Sequence, residues 1–176
     1  EYTGLKKKNG MIAIKLREGD ELASVSLASD EDILMITKKG QVIRVASSDV
    51  GSSSRATIGT KGINIPEDDE VIAMLPIRDE TDCLAVFSVS GLGKKIPLNE
   101  IARQGRGGKG IKARKLENDF ESKFVSLSNE QELIVASEKS TLKLEINTLP
   151  LMNRGALGVQ TIKLKENEKI SGISKF

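Results

Sequence analysis

Apolar positions in this chain fall in short runs, not in long stripes. Ile33-Leu-Met-Ile36, Leu84-Ala-Val-Phe87 and Leu133-Ile-Val-Ala136 are four residues each. Each leads through a polar turn to a further run: Lys38-Lys-Gly-Gln41 to Val42-Ile-Arg-Val45, Ser88 through Gly93 to Lys94-Lys-Ile96, and Glu138-Lys-Ser-Thr141 to Leu142-Lys-Leu144. Runs of this length, rich in β-branched residues and bounded by Gly, Asp, Asn or Ser, predict strands. No stretch sustains a 3.6-residue period for three turns, so no amphipathic helix is expected.

The runs recur with a period near fifty residues. Gly10 is followed by Ile14 and Leu16, Gly59 by Ile63 and Ile65, and Gly158 by Ile162 and Leu164; Gly110 keeps Leu116 but has Arg114 at the other offset. These glycines are 49, 51 and 48 residues apart. Four residues before the last three stand Arg55, Arg106 and Arg154, and Lys6 holds that place before Gly10. Acidic turns follow, such as Arg17 to Glu21, Pro66 to Glu70 and Lys165 to Glu168. Asp49 and Glu100 lie nine residues beyond Gly40 and Gly91, and Leu149 takes the equivalent third place. Four short strands per unit of this length predict an all-β, propeller-like array of blades, because one such unit cannot bury its apolar face alone. The repeat units are set at 10–58, 59–109 and 110–157, with a partial one at 158–176.

Composition narrows the function. Histidine is absent, which removes His-based acid–base chemistry, Ser-His triads and most zinc sites. The only cysteine, Cys83, lies in an apolar run and is expected to be a buried packing thiol; no internal disulfide is possible, which fits an intracellular setting. No apolar run approaches a membrane span. The chain starts at Glu1 and not at Met, so a processed protein or an excised fragment is expected. No catalytic residue, metal site or cofactor is expected, and the acidic turns read as solvated.

Charge is informative through its distribution, since 27 bases nearly balance 25 acids. Acids gather before the central strands, bases at the hairpin turns and the Arg-x-x-x-Gly segments. From Lys94 to Lys115 eight basic side chains face the single acid Glu100. Within that stretch, Gln104-Gly-Arg-Gly-Gly-Lys-Gly110 formally satisfies G-x-G-x-x-G, but no βαβ unit surrounds it, and Ile111 stands where a P-loop needs Lys and Ser or Thr. A structural turn and a phosphate contact by Arg106, Lys109 and exposed backbone amides remain, and the second is preferred. Equivalent positions of a radial repeat share one rim. The expected basic band comprises Lys38, Lys39, Arg44, Arg55, Lys61, Lys94, Lys95, Arg106, Lys109, Lys139, Lys143 and Arg154, and the expected nucleic-acid contacts add Arg103, Gln104, Gly107, Gly108, Gly110, Lys112 and Arg114. No aromatic residue interleaves with the loop and no recognition helix is apparent, so duplex DNA held through its backbone is the expected partner. A propeller-type protein-interaction platform is the alternative.

Four segments carry a family resemblance: Ile12-Ala-Ile-Lys-Leu-Arg-Glu-Gly-Asp-Glu-Leu22, Ile33 to Val45, Arg55-Ala-Thr-Ile-Gly-Thr-Lys-Gly-Ile63 and Arg154-Gly-Ala-Leu-Gly-Val159. In this repeated order the whole chain resembles the C-terminal domain of the DNA gyrase A protein, shared in related form by the A protein of topoisomerase IV. The resemblance implies a fragment of a six-bladed β-pinwheel that wraps DNA on its basic rim and supports negative supercoiling. It implies a bacterial cytoplasmic, nucleoid-associated setting, with the rest of gyrase A and gyrase B as partners in an ATP-dependent type II topoisomerase. No membrane or small-molecule substrate is implied. Gln104, Arg106, Gly107, Gly108, Lys109 and Gly110 match the family's box, Gln-Arg-Arg-Gly-Gly-Lys-Gly, and Gly105 replaces its first arginine. The family's defining box lies in its first blade, so it is expected upstream of this chain.

Overall fold

The computed structural model describes residues 11–27, 30–54, 56–113, 122–125 and 132–175. Each predicted pair of apolar runs forms an antiparallel hairpin: β1 (Asp32–Thr37) with β2 (Gln41–Ala46), β4 (Cys83–Ser88) with β5 (Leu92–Pro97), and β8 (Glu132–Ser137) with β9 (Thr141–Glu145). A short 3-10 turn closes each: η1 (Ser47–Val50), η2 (Leu98–Glu100) and η3 (Ile146–Thr148). No α-helix occurs among the described residues. The described residues are all-β, as the short β-branched runs predict.

After each turn the chain leaves its own blade and comes back. β3 (Val71–Pro76) returns to pair with β1, β7 (Ser122–Val125) with β4, and β11 (Ile170–Lys175) with β8. On the way, β6 (Ile111–Lys112) crosses to the hairpin before and pairs with β2, and β10 (Val159–Gln160) pairs with β5 in the same manner. The sheets therefore run β3-β1-β2-β6, β7-β4-β5-β10 and, among the described residues, β11-β8-β9. We call the crossing segment a strap. It gives backbone partners to a hairpin edge that would otherwise face solvent unpaired.

The repeated glycine makes the crossing possible. Gly110 has φ +68°, and a Cβ there would lie 2.6 Å from the Val42 carbonyl oxygen; Gly158 has φ +96°, and a Cβ there would lie 2.9 Å from that of Gly93. Positive φ and backbone contact together exclude other residues.

The first two hairpins bury both faces, whereas Thr141, Lys143 and Glu145 of β9 are exposed. Leu34, Ile36 and Val42 of the first sheet meet Leu84, Val86 and Ile96 of the second. Ala85 and Phe87, on the opposite face of the second, meet Leu133 and Val135 of the third. Blades thus share cores pairwise, which explains why the runs are continuous and not alternating. Cys83 is buried between them, and burial pushes its thiol pKa up, so it is a packing residue.

The acidic turns are not simply solvated. Asp69 is buried and its Oδ1 accepts the Lys39 and Glu70 amides at 2.9 Å each, capping the β1–β2 turn. Glu168 is buried against the β8–β9 turn, accepting from the Ser137 and Ser140 hydroxyls and, at 2.8 Å, from the Lys165 amide. These bonds, the Ser137 hydroxyl's first and the Lys165 amide's next, hold the Glu168 carboxyl below its usual range.

Gly110→Ala is expected to lower unfolding free energy by about 1–3 kcal/mol, through a forced positive φ and a clash with Val42. Gly105→Ala, where a Cβ meets nothing within 4 Å, should stay within about 0.5 kcal/mol. Urea unfolding of both variants measures the contrast.

Candidate nucleic-acid interface

The basic residues expected on one rim divide by what they touch. Arg44, on β2, is buried: its Nε donates to Asp32 Oδ2 at 2.7 Å and its Nη2 to Glu80. Arg103, on the strap that delivers β6, forms a two-pronged pair with the same Asp32, Nε to Oδ2 at 3.0 Å and Nη2 to Oδ1 at 2.7 Å. Burial alone would raise the Asp32 pKa, but the hydrogen bonds from Arg44 and then Arg103 outweigh it and hold the carboxyl below its ordinary value. Asp32 thereby ties the first hairpin to the strap that follows the second hairpin. Sequence reasoning missed it, because Asp32 reads as one more surface acid until the register places it opposite Ala46 and beside Arg44.

Lys94 and Lys95 are corrections to the expected band. Both lie in β5 and are buried, Lys94 with 1% of its surface exposed. Lys94 Nζ donates to the carbonyls of Asn153, Arg154 and Ala156 and points into the fold, away from any outside partner. Lys95 is held on its backbone by Pro150 and Met152 at 2.8 and 2.9 Å. Lys38 pairs with Glu70 at 2.9 Å, Lys39 with Asp68, and Lys143 with Glu132 at 2.5 Å. These last pairs are solvent-accessible and weak, so a phosphate can compete for the cations.

The straps carry the remaining charge. Arg106 is exposed, yet its Nε donates to the Asp49 carbonyl at 2.9 Å and its Nη1 to the Lys61 carbonyl at 3.0 Å. Arg154 repeats the motif more loosely, with Nη1 3.5 Å from the Lys112 carbonyl and its own amide on Glu100 Oε2 at 2.7 Å. In both cases the arginine reaches the strap before it, at the second residue after that strap's glycine. Carbonyls orient a guanidinium without neutralising it, and among the described residues Arg106 keeps three N–H donors beyond these two bonds. Lys109 and Lys112 are exposed and form no ion pair among the described residues, and Lys61 reaches only Asn64 Oδ1 at 2.6 Å. Arg55 and Arg114 lie outside the described residues.

The glycine loop itself departs from expectation in one respect. Three of its amides are spent inside the protein: Gln104 N on Arg44 O at 2.8 Å, Gly107 N on Gly62 O at 2.7 Å, and Gly108 N on Gly105 O at 3.2 Å. The Gly108 carbonyl in turn accepts from Asn64 N at 2.8 Å. So the loop presents side chains, and those amides offer no phosphate nest. Among the described residues no cluster of His, Cys, Asp or Glu could hold a metal ion, and no helix is long and apolar enough to cross a membrane.

Comparison with known proteins follows this geometry. The family described as DNA gyrase C-terminal domain, beta-propeller, matches residues 5–29, 31–78, 84–128 and 131–176. The DNA gyrase A protein of Deinococcus deserti is 35% identical over 95% of the chain, and that of Staphylococcus aureus 32% over 96%. The chain spans only about a fifth of these relatives, 21% and 20% of their lengths. A solved DNA gyrase A C-terminal domain superposes with TM-score 0.85 at 27% identity, covering 95% of this chain and 58% of that one. The solved C-terminal domain of a DNA topoisomerase IV gives TM-score 0.89 at 20% identity, over 94% and 53%, and shares the fold.

Asp32→Asn removes one of the two carboxylate partners of the buried Arg44 and should cost up to about 3–5 kcal/mol, less to the extent that Glu80 compensates. A lowered folded-state pKa stabilises above the ordinary aspartate value of about 3.9 and that contribution is lost as pH falls below it. The wild type is expected to lose stability from about pH 4 downward, and Asp32→Asn to follow a flatter course, in unfolding curves taken from pH 6 to 2.5.

Proposed function

The chain belongs to the DNA gyrase C-terminal domain family, and on that premise we propose that it binds and wraps duplex DNA without doing chemistry on it. The contact surface is the line of strap cations, Lys61, Arg106, Lys109, Lys112 and Arg154, with Lys38, Lys39, Arg103 and Lys143 adding charge they now share with acids. One observation carries the reading: the Arg106 guanidinium is oriented by two carbonyls and keeps its full charge at an exposed position. A cation fixed in direction, with no carboxylate partner among the described residues, gains more from a phosphate than one that must first leave an acid. Consecutive straps repeat the arrangement, so a flexible polyanion can follow them from blade to blade. Sequence readout has no place here, and bendability of the duplex sets preference.

Within a longer protein this domain would serve gyrase A, working with gyrase B in the bacterial cytoplasm, where wrapping presents a DNA segment for strand passage. The A protein of a topoisomerase IV is the second reading, favoured by the fold's similarity to that domain and by Gly105 in place of the box's first arginine.

Affinity for a long duplex should fall steeply with salt, with a log–log slope near −0.9 for each phosphate neutralised. The double variant Arg106→Glu, Lys109→Glu is expected to lose about tenfold to a hundredfold in affinity and to reduce the slope by about two, whatever the DNA sequence. A flat salt dependence, or unchanged binding by the double variant, removes the proposal. Relaxing closed circular plasmid with the chain bound should leave a linking difference if the path is a wrap.

A further inference from the structure

Lys94 occupies a position that the other blades fill differently. It stands opposite Val86 on β5, where Ile43 stands opposite Met35 on β2 and Leu142 opposite Val135 on β9. Two blades place a hydrocarbon there and one places a cation. The straps lying over these positions differ in step. Over Ile43 runs Gly105-Arg-Gly-Gly108, and a Cβ at Gly108 would come within 3.3 Å of Ile43 Cδ1, so the glycine lets the loop settle onto the isoleucine. Over Lys94 runs Asn153-Arg-Gly-Ala156, with Ala156 at the place of Gly108. The lysine reaches up into this loop, and three carbonyls turn inward to its ammonium: Asn153 at 3.0 Å, Arg154 at 2.7 Å and Ala156 at 2.7 Å.

We propose that this carbonyl triad is a cation nest whose built-in occupant is the Lys94 ammonium, and that Lys94 acts as a positioning residue for Arg154 on the rim. An ammonium has three donors and no acceptor, and three carbonyls on one side of it match that inventory. A charge this far from water is tolerated only when so satisfied. The same blade grips Arg154 from its other side, since the Arg154 amide donates to Glu100 Oε2 at 2.7 Å while its carbonyl accepts from Lys94. One residue's backbone is thus held at N–H by an anion and at C=O by a cation, both from β5 and its following turn. The arginine's exposed side chain starts from a fixed backbone although its own carbonyl contact, at 3.5 Å, is loose. Lys94 is therefore not a DNA contact but the reason Arg154 can be one. That last step rests on the DNA-binding function proposed above; the nest itself does not.

Chemical rescue tests it. In Lys94→Ala the missing atoms correspond to n-propylammonium. The variant is expected to melt about 5–10 °C below wild type. Millimolar n-propylammonium should recover at least half of that loss by refilling the nest, tetramethylammonium should not, and wild type should respond to neither. If Lys94→Ala does not fold unaided, the added amine should restore folding. The triple variant Lys94→Ile, Asn153→Gly, Ala156→Gly carries the first blade's solution and should fold without responding to the amine. Absence of rescue, or equal stabilisation of wild type, overturns the nest. Duplex binding then tests positioning: Lys94→Ala should lose about threefold to tenfold in affinity and regain it with the amine, and Arg154→Ala should lose it without rescue. Unimpaired binding by Lys94→Ala overturns the positioning role. If wild type itself does not bind DNA, the function falls while the melting data still decide the nest.

Discussion

A β-hairpin leaves one row of backbone donors and acceptors open along each edge, and in this chain that row must be filled by a segment from the next unit. On its outer edge β2 pairs Gln41 and Val42 with Lys112 and Ile111, and β5 pairs Leu92 and Gly93 with Gln160 and Val159. From this requirement the other features follow. A strand that short contributes few hydrogen bonds, so its approach must be close, which calls for glycine at Gly110 and Gly158. The strap must also be fastened on either side of the contact, and the chain does so with backbone bridges at Arg103 and Leu151 and with arginines reaching the previous strap. Blades are then stitched by charge and backbone in the same place where they share cores.

The straps bring cations to the surface as a consequence of that stitching. Arg106 is needed to bind the Asp49 and Lys61 carbonyls, and binding carbonyls leaves its charge available. Structure and the proposed DNA contact therefore do not compete for this residue as they would for an arginine in an ion pair. Arg44 illustrates the opposite case: Asp32 and Glu80 take up its charge, and it serves the fold alone. The difference lies in the partner's chemistry, carbonyl against carboxylate, and not in the arginine.

Much of the fold was legible in the sequence. Four-residue apolar runs mark the hairpin strands, and the repeated glycines at Gly110 and Gly158 mark the straps, because there φ and close approach leave glycine no substitute. Cys83 in its apolar run was legible for the same reason. What sequence could not tell was where the strap goes. Crossing to the previous hairpin is a long-range pairing with no local signature, since Ile111 and Lys112 alone look like any strand start. The basic band was over-read for the related reason that exposure depends on partners. Lys94 and Lys109 are the same residue type in the same basic stretch, yet one is enclosed by carbonyls of residues about sixty positions away and the other is open. The alternation Ile43, Lys94, Leu142 was a visible hint that Lys94 lay on a core-facing row.

The crossing straps also impose an order in time. A chain that leaves the ribosome N-terminus first makes β1 and β2 early, but their outer edge waits for Ile111 and Lys112, about seventy residues later. β5 waits similarly for Val159 and Gln160. During synthesis each blade therefore stays unsealed until the following hairpin is complete, so the most recent edge is always the exposed one. The delay is fixed by topology, and it falls on Gln41 and Leu92, at the outermost end of each β-edge.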